Sequence, residues 1–251
     1  MSFSLEQLIS RQVIPSSIDF NAGCLLLVDK PLDWTSFDAV NKIRFTLKYA
    51  LDIKKIKVGH AGTLDPLASG LLLICVGKYT KGIQFLQGMD KEYTGTITIG
   101  HTTATYDAEV EPNASFETNH ISEAMIYASA KSFIGPQMQL PPIYSAVKVK
   151  GQTAYSLARR GKTVELKERP IVIHKFDIIS IEDKVVQFRV NCSKGTYIRS
   201  LAHDFGKSLH SGAYLSSLRR TKIGDYDVKD AYSIEDIKNI IDMLASGNQE
   251  G

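Results

Sequence analysis

Apolar and polar positions change period several times along the chain. Cys24 to Val28 is an unbroken apolar run closed by Lys30-Pro31, which predicts a short strand. Thr35 or Ser36 can then cap a helix, with Phe37, Val40, Ile43 and Leu47 recurring at helical spacing. Leu71 to Val76 is apolar throughout and reads as a buried strand, and Tyr93 to Ile99 alternates in strand fashion up to Gly100. Ile121 to Phe133 predicts a second helix, stopped by Gly135-Pro136. After the break at Pro141-Pro142, Ser145 to Val149 predicts a strand and Thr153 to Arg160 a short helix ending at Gly161. Ile171 to Ile181 and Lys184 to Cys192 read as paired strands across a polar turn. Thr196 to Leu209 is a helix with Ile198, Ala202, Phe205 and Leu209 on one face, and a last helix runs from Ser233 to Leu244.

Strands and helices follow one another without a regular βαβ alternation. The fold class expected is therefore α+β, with a mixed, largely antiparallel sheet flanked by helices. Residues 1–22, with Pro15-Ser16-Ser17 near their end, read as an N-terminal extension, and 23–251 as one body.

Composition narrows the function classes. The chain has 251 residues, 43% hydrophobic and 23% charged, so a sizeable core fits one large domain or two small ones. No apolar run approaches the roughly 18 residues of a membrane-spanning helix, and the first residues lack a basic stretch followed by an apolar core, so a cytoplasmic protein is expected. Cys24, Cys75 and Cys192 are odd in number and make no Cys-x-x-Cys spacing; with the six histidines scattered, buried free thiols are expected and no metal site or cofactor. A net charge of +3 says little by itself. Its distribution says more: Lys54, Lys55 and Lys57, then Lys148, Lys150, Arg159, Arg160 and Lys162, then Arg219, Arg220 and Lys222 form three basic clusters suited to tracking phosphates.

The segment richest in chemistry is Gly59 to Leu72, GHAGTLDPLASGLL. Gly59 and Gly62 permit a tight backbone path, and Pro66 drives Asp65 away from helical dihedrals. Asp65 is thus a carboxylate fixed between a glycine-containing loop and an apolar strand. An Asp-Pro turn with a structural role alone fits the same spacing. A phosphate-binding loop does not, since no Gly-Lys-Ser/Thr is present.

This stretch closely resembles the signature of the TruB family of tRNA pseudouridine synthases, which act on uridine 55 in the T loop of tRNA. Further segments resemble the family in order: Leu25 to Ser36 (LLLVDKPLDWTS), Lys91-Glu92-Tyr93, Pro141 to Gly151 (PPIYSAVKVKG), Tyr155 to Gly161 (YSLARRG), Cys192 to Arg199 (CSKGTYIR) and Leu218-Arg219-Arg220. The resemblance runs from about Gly23 to Tyr226. Many members carry a small C-terminal RNA-binding domain, and the residues after Tyr226 are too few for one, so the resemblance implies one catalytic domain over 23–251 without it.

What it implies can be carried over position by position. Asp65 falls on the catalytic aspartate, which as a nucleophile attacks the ribose C1′, or otherwise assists departure of the base there, so that uracil turns and rejoins through C5. Arg199 falls on the arginine partner of that aspartate; a guanidinium near a carboxylate favours its ionised form. Tyr93 falls on the active-site tyrosine, whose ring can stack on an extruded uracil, although a lone strand tyrosine is often core. Tyr197 and Leu218 match pocket-lining positions, and either could be core packing. His60 matches the histidine placed against the RNA where the target base leaves the stack. Lys30 and Lys148 lie in matching blocks and could meet phosphates.

The implied partner is tRNA, read at its T arm by a monomer with no cofactor and no obligate protein partner. Gly100 to Val110 (GHTTATYDAEV) departs from the family pattern: Ala104 replaces an aspartate and Val110 a glycine, while Thr103, Thr105 and Asp107 remain. Two other classes compete with an RNA isomerase. A non-catalytic RNA-binding or RNA-folding protein predicts a damaged Asp65 or Arg199, and both are intact. A glycoside hydrolase wants two opposed carboxylates where the resemblance supplies one carboxylate and an arginine.

Overall fold

A computed structural model describes residues 7–14, 18–149, 151–161 and 164–247. Residues 1–6 and Pro15-Ser16-Ser17 of the expected extension, Lys150 and Lys162 of the second basic cluster, and the tail 248–251 lie outside the described residues.

In chain order the first elements are β1 (Leu8–Ile9), β2 (Leu25–Lys30), α1 (Ser36–Ala50), β3 (Val58–His60), β4 (Ala68–Val76) and α2 (Ile83–Gly88). Then come β5 (Lys91–Ile99), β6 (His101–Thr102), β7 (Ala114–Ser115), α3 (Glu123–Ser132), β8 (Gly135–Gln139), β9 (Lys148–Val149), β10 (Gln152–Thr153) and α4 (Ala154–Ala158). β11 (Arg169–Glu182), β12 (Val185–Cys192), α5 (Ile198–Ser208), β13 (Ala213–Ile223), β14 (Tyr226–Asp227) and α6 (Ile234–Gly247) complete the chain. The fold is α+β. Among the named strand registers, β1 against β2 is parallel, and β2–β4, β3–β4, β11–β12 and β8–β11 are antiparallel.

The chain forms two compact units, the first comprising Met1–Lys91 with Arg219–Gly251, the second Glu92–Leu218. In the first, strands run in the order β1-β2-β4-β13, with β3 on β4 and β14 on β13. Alternation along β2 and β4 sends Leu26, Val28, Leu72 and Ile74 to a layer shared with Val40, Ile43 and Leu47 of α1 and Ile237, Ile241 and Leu244 of α6. The intervening Leu25, Leu27, Leu71, Leu73 and Cys75 pack on the opposite face with Leu86 and Ile223. Both faces are covered, which is why these two strands read as unbroken apolar runs rather than alternating ones.

Thr35 caps α1 in a full capping box, accepting from the Asp38 amide at 3.0 Å while Asp38 accepts from the Thr35 amide at 2.9 Å. Val40, Ile43 and Leu47 of the expected helical face are buried, but Phe37 is 63% exposed. It sits in the first turn, where Ser36 turns inward instead and is 2% exposed.

The second unit orders its strands β13-β5-β12-β11-β8. β11 and β12 form the long hairpin expected from the sequence, with Glu182 opposite Val185 at the turn. Its core is aromatic: Phe176 meets Phe188 edge-on at 5.8 Å and lies 5.7 Å from Phe205 of α5 and 6.4 Å from Phe133. The strand expected over Ser145 to Val149 shrinks to Lys148–Val149, because Tyr155 donates to the Ser145 carbonyl and the segment bends round α4.

Candidate active site

Asp65 lies in the loop joining β3 to β4. The loop is held at several points. Ser36 Oγ accepts from the Leu64 amide at 2.8 Å and donates to the Leu64 carbonyl at 3.1 Å, locking the residue beside Asp65 to the start of α1. The Asp65 carbonyl accepts from the Ala68 amide at 3.0 Å, closing a turn with Pro66 at its second position, and the Asp33 amide donates to the Pro66 carbonyl at 2.9 Å. Gly62 has φ +104°, a conformation that L side chains resist. Gly70 is also required: a Cβ there would stand 2.3 Å from the Arg220 carbonyl oxygen, so only glycine lets β4 approach β13 at this point.

Beneath this loop are two buried cations. Lys30 is wholly buried and donates to the carbonyls of Pro31 at 2.8 Å and Trp34 at 2.6 Å. Burial brings its pKa down to about 8; the Arg220 charge pushes the same way, and Asp65 opposes both. Arg220 is 1% exposed, and its guanidinium donates to the carbonyls of Leu71 at 2.7 Å, Gly62 at 3.1 Å and Thr63 at 3.4 Å. One side chain therefore ties β13 both to β4 and to the Asp65 loop.

Within the third basic cluster, Arg220 departs from the expected phosphate-tracking role. Arg220 is internal, Arg219 pairs with Asp29 at 2.6 Å, and Lys222 stands 3.7 Å from Asp227. Lys30 is equally unavailable to phosphates.

His60 ends β3, opposite Ile74. Its Nδ1 is buried without a hydrogen-bond partner among the described residues. Burial lowers its pKa; a Gly62 backbone group opposes this and the Arg220 charge reinforces it, so the imidazole is held toward its neutral form. A neutral ring suits an apolar contact better than a phosphate.

The other candidate residues belong to the second unit. Tyr93 is buried on β5, 9% exposed, and Leu218 is half-buried at the end of that unit's share of β13. Tyr197 is the N-cap of α5; its backbone amide donates to Gln139 Oε1 at 2.8 Å and its carbonyl accepts from Gln139 Nε2 at 3.1 Å, a two-way clasp that fixes where α5 begins.

Arg199 follows two residues later, 7% exposed. Its guanidinium lies 3.5 Å from Asp107 and donates to the carbonyls of Tyr144 at 3.0 Å and Thr105 at 3.3 Å. Asp107 also accepts from Thr105 Oγ1 at 2.6 Å and the Glu109 amide at 3.0 Å, while its own carbonyl accepts from Thr103 Oγ1 at 2.6 Å. The residues that survive in the divergent Gly100 to Val110 segment are thus the ones organised around Arg199. Sequence reasoning kept Thr103, Thr105 and Asp107 in view without giving them that role. It missed the clasp by Gln139, which no local pattern marks, and the lock by Ser36, which it read only as a helix cap. Among the described residues no group of histidine, cysteine and carboxylate side chains could hold a metal ion, and no helix is long and apolar enough to cross a membrane.

The sheet of mixed, largely antiparallel strands with helices against it, taken with the family match given below, places the chain among pseudouridylate synthases. Two solved structures share this fold. The chain is 26% identical to the structure described as a Cbf5-Nop10-Gar1 complex, with a TM-score of 0.67, covering 97% of this chain and 65% of that one. It is 28% identical to an H/ACA RNP bound to a substrate RNA containing 2′-deoxyuridine, with a TM-score of 0.61, covering 86% of this chain and 52% of that one. The chain thus spans between half and two thirds of the length of those structures.

The family is narrower. The N-terminal domain of TruB family pseudouridylate synthases matches residues 48–198, and the tRNA pseudouridylate synthase B C-terminal domain matches 199–250. A protein named tRNA pseudouridine synthase B from Flavobacterium johnsoniae is 55% identical over 217 residues, 86% of this chain and 95% of the relative. One of the same name from Parabacteroides distasonis is 48% identical over 226 residues, 90% of this chain and 96% of the relative. This chain belongs to the TruB family of pseudouridylate synthases.

Proposed function

We propose that this protein isomerises uridine 55 in the T loop of tRNA to pseudouridine, with Asp65 as its catalytic carboxylate. The observation that carries the reading is the Asp65 loop: a carboxylate on a segment locked by Ser36, Pro66 and Arg220, within the stretch that most resembles the family signature. The names of the relatives, tRNA pseudouridine synthase B, support the substrate class.

In this reading the uridine is turned out of the T loop, because the ribose C1′ is hidden while the base is stacked. His60 takes the space that the base leaves. Asp65 acts at C1′ as the bond to N1 breaks; the uracil turns and a bond forms from C5 to C1′. The C5 proton is then lost and N1 gains one, so the net change is an isomerisation with no co-reactant. Tyr93 stacks on the uracil, with Tyr197 and Leu218 lining its pocket. The resemblance assigns Arg199 as the charge partner of Asp65. The Asp107 carboxylate and two carbonyls hold its guanidinium in one orientation in advance, which lowers the reorganisation needed during reaction.

The test is pseudouridine mapping on an unmodified tRNA transcript incubated with purified protein. Wild type should modify the T-loop uridine. Asp65→Asn should bind the transcript and give no product, because the amide matches the carboxylate in size but is neither nucleophile nor base. An Asn variant that turns over near the wild-type rate removes Asp65 from this role.

A further inference from the structure

A cleft of about 510 Å³ opens in the first unit, away from the Asp65 loop. Lys55, Lys57, Lys78 and Lys81 line it, with Asn21 and Thr80 between them, and no carboxylate does. All four lysines are exposed, and none takes part in an ion pair among the described residues. Elsewhere basic side chains at the surface do find carboxylates: Lys175 meets Asp177, Lys207 meets Asp204 and Lys238 meets Asp242. Four unpaired ammonium groups around one concavity raise the local positive potential and favour a polyanion.

The position follows from the β3–β4 hairpin. Val58 pairs with Val76, and the Gly77 amide donates to the Lys57 carbonyl at 2.9 Å, so Lys57 and Lys78 flank the open end of the hairpin. Asp65 is at its closed end. Lys30, beneath the Asp65 loop, pairs with Gly70, seven residues from Gly77 along β4 and the turn that follows it. At a strand rise of about 3.3 Å per residue the cleft is roughly 25 Å from the reacting carboxylate. The catalytic loop and the cleft are therefore two ends of one rigid element. Only Lys54 to Lys57 stood out in the sequence; Lys78 and Lys81 come alongside through the pairing of β3 with β4.

We propose that this lysine cleft is a second contact for the substrate RNA, taking several backbone phosphates of the helical stem at a distance from the extruded base. The proposal rests on the functional reading above for the identity of the RNA. The chemistry it recognises is phosphate, and free inorganic phosphate is the other possible source. A stem phosphate is favoured because the cleft is open and lined by four separate charges, which matches a run of spaced anions better than one small ion.

The experiment measures affinity against salt for wild type and for the triple variant Lys57→Ala/Lys78→Ala/Lys81→Ala, by fluorescence anisotropy. One RNA is the full-length tRNA transcript; the other is a T-loop hairpin cut to its shortest stable stem. On the full-length tRNA the variant should bind about tenfold more weakly at low salt, and its log–log slope should flatten by about two, since each phosphate neutralised adds about 0.7–0.9 to that slope. On the short hairpin the two proteins should superimpose. Coincident salt lines on the full-length tRNA would overturn the proposal, and so would an equal loss on both RNAs. A third arm competes each complex with inorganic phosphate; an effect of the substitutions seen only there assigns the cleft to a small anion and overturns the RNA assignment. Pseudouridine formation by wild type on the hairpin tests the functional reading separately. Its absence would count against that reading, while the salt slopes would still decide the cleft.

Discussion

Among the described residues two arginines are buried, one in each unit, and they are satisfied in different ways. Arg220 in the first unit donates to three backbone carbonyls and has no carboxylate partner among the described residues. Arg199 in the second unit has a carboxylate, Asp107, as well as two carbonyls. A guanidinium that gathers carbonyls from β4 and a loop works as a structural clamp, and its charge remains to act on whatever lies above. Burial lowers the pKa of Lys30 and of His60, and the Arg220 charge adds to it. A guanidinium paired with Asp107 is instead fixed in orientation, with its charge partly offset. Burial alone does not separate the two uses; the partners do.

The same substitution at both positions tests that difference. Arg199→Lys keeps a cation near Asp107 but loses the planar fork. It should lower kcat/KM on the tRNA transcript by about 10²-fold or more, in the range for removing a preorganised charge-stabilising donor. The melting temperature should fall less than for Arg220→Lys, because the ammonium keeps Asp107 and fewer carbonyls lose their donor. Equal activity in wild type and Arg199→Lys would show that orientation at this position is irrelevant. Arg220→Lys should do the reverse. An ammonium cannot reach Leu71, Gly62 and Thr63 together, and stranding buried carbonyls costs about 1–3 kcal/mol. The expected fall in melting temperature is about 5 °C, with kcat per folded molecule within a few-fold of wild type. An Arg220 variant as stable as wild type but inactive would move Arg220 from clamp to catalysis and erase the contrast.

The sequence exposed one of these arginines much better than the other. Arg199 stands in a distinctive segment, CSKGTYIR, and the resemblance assigned it a task. Arg220 sits in Arg219-Arg220-Thr221-Lys222, where charge density suggests a solvated surface. Only the strand tells otherwise. β13 alternates, so Arg219 and Arg220 face opposite ways, and Gly70 lets β4 come close enough to offer the Leu71 carbonyl. β13 itself was not anticipated, since Tyr214 to Lys222 is largely polar, and β8 was concealed by Gly135-Pro136, read as a helix stop. By contrast the β2 and β4 strands, the capped start of α1 and the β11–β12 hairpin carry strong local signals and lie where expected. The candidate side chains were legible because they fall in short distinctive motifs. The contacts that hold them, from Ser36 to Leu64 and from Gln139 to Tyr197, span 28 and 58 residues and leave no local trace.

The smallest effect should come from the packing around Arg199 rather than from Arg199 itself. Tyr106, next to Asp107 and at φ +64°, stacks on His203 of α5 with ring centroids 3.8 Å apart and planes within 10°. Burial lowers the His203 pKa to about 4, with the Lys207 charge adding to the effect, and its Nδ1 has no hydrogen-bond partner among the described residues. An unfolded histidine titrates near 6.5. Above pH 6.5 both states are neutral at this ring. Between 6.5 and 4 the unfolded chain binds the proton and the folded one does not, so stability must fall as pH drops through that window. Asp204 works in the opposite direction, since burial raises its carboxyl and the folded state takes up a proton first. Wild type alone therefore shows the two summed, together with other shifted groups such as His60. His203→Phe keeps a ring against Tyr106 and removes the titration, leaving Asp204 in place. Because His203 is only half-buried and screened by solvent, the gap between the two proteins should be about 1 kcal/mol, or 2–4 °C in melting temperature. The measurement is melting temperature from pH 7 to pH 4 for both. The two curves should run parallel above 6.5 and separate below it, with wild type falling faster. Curves that stay parallel down to pH 4 would mean that His203 protonates freely in the folded state, and that the Tyr106 stack beside the Asp107–Arg199 pair is looser than its geometry implies.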